Sequence, residues 1–252
     1  MGLKHGVKIT APVNISGVIF ASYFLKMTKR QKYRDLITQT FDFPQKDFKE
    51  EKNLLFWNDL PLQEIAEKYG TPLRITFLPR IGQQIQKARR LFNAAIANND
   101  YRGDYHYCYC TKSSHFSFVV EEALRNKTHI ETSSAFDFDL IKRMEEKKKI
   151  KKDNYVICNG FKPDGYVKRI LEAWNSGYKN LIPVLDNMAE LEKYGQPTDP
   201  MNIGIRIAAE EEPKYEFYTS RLGVRYNDIV PFYQEKIQNS KSFKLKMLHF
   251  FI

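Results

Sequence analysis

The chain has little cysteine. Three thiols in 252 residues give no disulfide framework, and reduced thiols in the cytoplasm are the reading that fits. Apolar runs of bilayer length are also missing. Val13–Leu25, behind Lys4 and Lys8, superficially resembles the core of a signal peptide, but it is too short to span a bilayer and no small-x-small cleavage site precedes Lys26. No membrane partner is expected. The formal net charge of +10 raises the question of nucleic acid, yet there is no zinc finger, no glycine-rich RNA motif and no aromatic platform interleaved with the basic residues. Much of the excess sits in local runs, Lys147–Lys152 and Lys26–Lys32, and the first reads as a solvated loop between an amphipathic stretch and an apolar strand. No nucleic-acid partner is expected either.

With 42% hydrophobic and 14% aromatic residues, the chain can bury a sizeable core, and its length suits one barrel or two small domains. From Asp59 onward helical and strand signals alternate, which argues for βαβ units and a parallel sheet. Strands are expected at Leu73–Leu78, Tyr105–Lys112, His129–Ser133, Tyr155–Cys158, Leu181–Leu185, Asn202–Ala208 and Lys244–Ile252. Helices are expected at Ile81–Ala97, Phe116–Leu124, Asp164–Trp174 and Ile229–Ile237, the second capped by Ser113 and Ser114.

Lys112 stands out within this pattern. It closes the strand-like run Tyr105–Lys112, where alternation places it on one face with His106, Cys108 and Cys110. A lysine at the end of a buried strand is costly unless chemistry needs it, and a partly desolvated lysine is a good Schiff-base nucleophile. The bland alternative is a lysine snorkelling to solvent. His106, Cys108 and Cys110 lie on one strand with no fourth ligand nearby in sequence, so no metal is expected. His115 and Ser114 read first as helix caps, as do Asp186 and Asn187.

Segments in register extend the reading. Glu67-Lys68-Tyr69-Gly70-Thr71-Pro72-Leu73, Tyr109-Cys110-Thr111-Lys112-Ser113-Ser114, Glu131-Thr132-Ser133-Ser134-Ala135, Ile205-Arg206-Ile207-Ala208, Tyr218–Val224 and Leu248-His249-Phe250-Phe251-Ile252 follow one another as in one family. Over about residues 53–252 the chain resembles the fold-type III pyridoxal phosphate enzymes, alanine racemase and the basic amino-acid decarboxylases. Cys158–Lys162 and the run Glu210–Gly223 bring it nearest the arginine decarboxylases.

The resemblance implies an α/β fold, a TIM-type (β/α) barrel of the alanine racemase-like class. It also implies pyridoxal 5'-phosphate as cofactor, an amino-acid substrate, and a homodimer in the complete enzyme. Lys112 would be the cofactor lysine, with Glu131, Arg206, His249 and Phe251 around it, although Phe251 stands where the family's ring-stacking histidine is expected. A barrel-interior ion pair is the competing reading of Glu131 and Arg206. The family's glycine-rich phosphate loop and the carboxylate for the pyridine nitrogen have no counterpart, so the chain is expected to be an incomplete barrel, lacking the last strands and the C-terminal β domain, and inactive alone. Residues 1–52 are expected to form an N-terminal extension and amphipathic segment, with 1–26 a start placed too early or an added extension; residues 53–252 form the partial barrel.

The implied reaction is decarboxylation of arginine to agmatine in polyamine biosynthesis. Ornithine, lysine, diaminopimelate and carboxynorspermidine stay open as substrates, as does a non-catalytic homologue with a binding or regulatory role.

Overall fold

The computed structural model describes residues 7–10, 47–208 and 222–250. Val13–Leu25, Thr28–Pro44, most of Tyr218–Val224 and Phe251 lie outside the described residues. Two compact units divide the chain, residues 1–79 and 80–252.

The first unit holds β1 (Val7–Thr10), β2 (Phe48–Glu51), β3 (Leu54–Trp57), β4 (Leu60–Pro61), α1 (Leu62–Tyr69) and β5 (Arg74–Phe77). Strands β2, β3 and β4 form an antiparallel sheet, and β1 pairs antiparallel with β5. Both hairpin turns have two residues at positive φ, Lys52-Asn53 and Asn58-Asp59, the backbone whose twist suits a two-residue hairpin and which Asn and Asp tolerate well. The expected boundary between residues 52 and 53 falls within the first of these turns. Trp57 packs edge-on against Phe77, 5.7 Å between centroids.

The second unit runs α2 (Pro79–Asn98), β6 (Cys108–Cys110), a 3-10 turn (Thr111–Ser113), α3 (Ser117–Arg125), β7 (His129–Thr132), α4 (Asp137–Glu146), β8 (Val156–Cys158), α5 (Asp164–Asn175) and β9 (Leu181–Leu185). A 3-10 segment (Met188–Tyr194), β10 (Met201–Arg206), α6 (Tyr226–Phe232) with a π turn (Tyr233–Ile237), and β11 (Phe243–His249) complete it. The six strands make one sheet in sequential order, β6 to β11, and every pairing is parallel. The alternation of strand and helix signals thus gives the expected parallel α/β architecture.

Alternation along the strands sorts the side chains to two faces. Ile130, Val156, Cys158, Leu181, Leu185, Met201, Ile203 and Ile205 pack with Val120, Leu124, Ile141, Met144, Ile170 and Trp174 into the main core. On the other face Ile157, Ile182 and Val184 gather Cys108, Tyr155 and Met247. In α5, Tyr166, Val167, Ile170 and Trp174 recur at helical spacing and are all buried. Each fully buried aliphatic side chain contributes about 1.5–3 kcal/mol, so this face of α5 alone rivals the net stability of a domain before ordering entropy is subtracted.

Three expectations are corrected. The strand expected over Tyr105–Lys112 is only Cys108–Cys110, and Lys112 lies in the 3-10 turn, exposed, so it is neither on the strand nor desolvated by it. Ser113 and Ser114 do not cap α3: Ser114 is extended, Phe116 occupies the cap position, and Ser113 Oγ donates to Cys110 O at 2.8 Å. The helix over Ile229–Ile237 is two pieces, an α segment and a π turn with Pro231 inside the first.

Candidate active site

Because the six strands are parallel, their C-terminal ends share one edge of the sheet. Glu131 pairs in register with Cys110 and Ile157, Asn159 follows Cys158, Asp186 follows Leu185, and Arg206 stands opposite His249. The bulge in β11 matters here. Phe243 and Leu245 pack into the main core, but after the register shift at Ile203/Gly204 Met247 lies opposite Gly204 and packs on the other face. The extra residue, Lys246, puts His249 beside Arg206. Gly204 admits the close approach, since an added Cβ would meet Val184 Cγ2 at 3.2 Å.

Polar side chains converge at this rim. Asn159 Nδ2 donates to Glu131 Oε1 at 3.1 Å and lies 3.3 Å from His249 Nε2, while its Oδ1 accepts from Gly160 N–H at 2.9 Å. Arg206 Nη1 lies 3.3 Å from Asp186 Oδ1, and Asp186 is buried. Burial lowers the affinity of His249 for a proton; Glu131 and Asp186 oppose that, and Arg206 and Lys162 reinforce it. The imidazole is therefore disposed to stay neutral near pH 7.

Lys112 occupies the turn that leaves β6 at the same rim. Thr111, fully buried, ties this turn to β7 by donating its hydroxyl to Glu131 O at 3.1 Å. The Lys112 ammonium has no hydrogen-bond or ionic partner among the described residues. Nearby, His115 Nε2 stands 2.9 Å from Asp137 Oδ1, and the other oxygen of Asp137 accepts from Ser133 N–H and Ser134 N–H at 2.8 and 2.9 Å. His115 is an acid partner and not a helix cap. Asn187, in contrast, caps as expected, its Oδ1 accepting from Glu190 N–H at 3.1 Å.

The buried lysine of the rim is Lys162, which the sequence reading passed over. Its ammonium is fully buried and donates to Gly160 O at 2.7 Å, to Val184 O, and to Glu190 Oε2 at 3.1 Å. Glu190 Oε2 in turn accepts from Asp186 N–H at 3.0 Å. Three acceptors exhaust the three protons of an ammonium, so Lys162 is a structural ion and has no lone pair to offer. Cys108 is equally inert, with burial pushing its thiol up to about 12. Among the described residues no group of three or more His, Cys, Asp or Glu side chains could hold a metal ion. Nor, among them, is any helix long and apolar enough to cross a membrane.

No family model matches the chain. The biosynthetic arginine decarboxylase of Shewanella frigidimarina (strain NCIMB 400) is 24% identical to it over 210 residues, 77% of this chain and 32% of that protein. A second biosynthetic arginine decarboxylase, from Synechocystis sp. (strain ATCC 27184 / PCC 6803 / Kazusa), is 25% identical over 215 residues, 76% of this chain and 32% of that protein. The chain spans about a third of the length of the curated relatives it matches. Solved structures agree on the fold: diaminopimelate decarboxylase from M. jannaschii, in complex with L-lysine, superposes with a TM-score of 0.62 at 13% identity, covering 82% of this chain and 48% of that one. The biosynthetic arginine decarboxylase from Campylobacter jejuni gives 0.57 at 16% identity, covering 81% and 35%.

Proposed function

We propose that this chain forms the lysine-bearing part of a pyridoxal phosphate-dependent amino-acid decarboxylase with a (β/α) barrel, acting on arginine. The observation that carries the reading is the shared rim: six consecutive parallel strands bring Glu131, Asn159, Asp186, Arg206 and His249 to one edge, with Lys112 in the first turn above it. Groups at the C-terminal ends of barrel strands are the ones that face a substrate.

The residues present suit the cofactor. Lys112 has an ammonium with no competing partner among the described residues, and Asp186 Oδ2 is buried with no hydrogen-bond partner there. Lys112 would hold the aldehyde carbon, and the cofactor ring would supply the electron sink that loss of carbon dioxide from an α-amino acid needs. The chain's own residues do the rest. Arg206, held by Asp186, presents a fixed positive charge, Glu131 an acceptor aimed by Asn159, and the half-buried His249 an uncharged ring. Arginine as substrate is supported by the relatives' names; a site made for a planar guanidinium discriminates against a shorter ammonium by roughly a few kcal/mol.

One experiment tests both levels. The full-length protein is incubated with pyridoxal phosphate, reduced with borohydride, digested and mapped; a parallel sample of it receives equal arginine, ornithine, lysine and diaminopimelate before product analysis. The label is expected on Lys112 and agmatine among the products. A label elsewhere, with Lys112 unmodified, overturns the site. Putrescine, cadaverine or lysine as the dominant product overturns the substrate alone. Lys112 labelled with no carbon dioxide released would favour the non-catalytic homologue.

A further inference from the structure

The Asn159 side chain is 6% exposed, and its two ends are distinguishable. Oδ1 accepts from Gly160 N–H, so Nδ2 is the end turned to Glu131 and His249. An amide nitrogen donates and does not accept. His249 Nε2 must then present its lone pair, which leaves the imidazole proton on Nδ1. We propose that Asn159 is a positioning residue: its amide locks His249 as the neutral Nδ1–H tautomer and fixes the Glu131 carboxylate beside it.

The charges around the ring do not decide between its nitrogens. The charged groups around His249 are Glu131 on β7, Lys162 after β8, Asp186 after β9 and Arg206 on β10, two acids and two bases. Their fields oppose one another, and burial favours a neutral ring without choosing between its nitrogens. The Asn159 amide facing Nε2 at 3.3 Å supplies a donor there, which favours the proton on Nδ1. One amide thus serves two strands, and it keeps Glu131 from forming an ion pair with an imidazolium. That this matters for a cofactor rests on the reading of the rim given above; the tautomer does not.

Nitrogen-15 NMR of the whole chain tests it, with His249→Gln identifying its resonances among the five histidines. The wild type is expected to show the Nδ1–H form at pH 7.5. In Asn159→Asp, the same shape replaces a donor by a carboxylate, and the His249 titration midpoint should rise by about one unit or more. In Asn159→Ala the proton should move to Nε2, where the Glu131 carboxylate is a neighbour. Loss of packing alone would not produce a rise in one variant and a tautomer change in the other. An Nε2–H or charged His249 in the wild type overturns the proposal, as does a folded Asp variant with an unmoved midpoint. Should the Asp variant not fold, the wild-type and Ala spectra decide. If these results hold while borohydride labels a lysine other than Lys112, the cofactor reading fails and the role of Asn159 stands.

Discussion

Two turns leave the same edge of the sheet, each with a lysine, and they treat it in opposite ways. The turn after β6 holds Lys112 out in solvent with no partner among the described residues. The turn after β8 folds back so that Lys162 is wholly buried among Gly160 O, Val184 O and Glu190 Oε2. A buried ammonium must be fully hydrogen-bonded, and once it is, its nitrogen is chemically spent. An available ammonium adds little to the fold. Burial, which first drew attention to a strand-end lysine, thus accompanies the lysine bound into the structure, while the lysine proposed for the cofactor is the one left available.

The largest test of that contrast is Lys162→Ala. It leaves the Glu190 carboxylate in a buried site without its cation and orphans two carbonyls, and should cost about 3–5 kcal/mol in urea unfolding. Replacing the pair together, Lys162→Met with Glu190→Leu, should recover much of the loss, because an apolar pair of similar volume needs no compensation. If Lys162→Ala costs under about 1 kcal/mol, Lys162 is not the structural ion argued above and becomes a candidate for the reactive role.

A smaller effect should come from the opposite ends of the strands. His129 on β7 accepts from Tyr155 N–H at its Nδ1, 3.1 Å away, and its Nε2 lies 3.3 Å from His106 Nδ1. Burial first, then His106 and Arg89, lower its proton affinity, with Asp153 opposing. His249 at the rim is lowered too, chiefly by burial. Both histidines thus bind a proton more weakly in the folded chain than in the unfolded one. Stability should be fully present above the unfolded value near 6.5 and decline as the pH falls below it. Urea midpoints at pH 7.5 and 5.5 should show the drop, and His129→Gln should reduce it. An equal drop in His129→Gln would place the sensitivity elsewhere.

The sequence made some of this legible and hid the rest for physical reasons. Leu181–Leu185 is a continuous apolar run bounded by polar residues, and it is the strand that was expected, buried throughout. The helix of α5 followed from apolar spacing in the same way. Glu131, Arg206 and His249 were chosen by resemblance, and the fold brings all three to one edge. What a one-dimensional pattern could not show was the bulge at Lys246, which reverses the alternation of β11 and turns His249 towards Arg206. Nor could it show where β6 ends: the run Tyr105–Lys112 alternates to its last residue, but Thr111 is drawn in to bond Glu131 O and the chain turns. Asn159 was visible only as a letter in Cys158–Lys162; its place two residues beyond Ile157, on the face shared by Ile182 and Val184, was the clue to its direction.

The smallest effect expected is the one that sharpens the comparison most. Lys112→Ala should change the unfolding free energy by no more than about 0.5 kcal/mol, the range of a surface substitution away from any cap or ion pair. Its neighbours do not depend on it: Thr111 holds the turn to β7, and Ser113 Oγ bonds Cys110 O, through atoms the substitution leaves in place. Removing a solvated ammonium that has no partner among the described residues strands no buried acceptor there. Urea unfolding of Lys112→Ala beside the wild type measures this directly. A loss above about 1 kcal/mol would mean that the turn uses the lysine to hold itself together, and the division between a lysine spent on structure and a lysine left for chemistry would collapse.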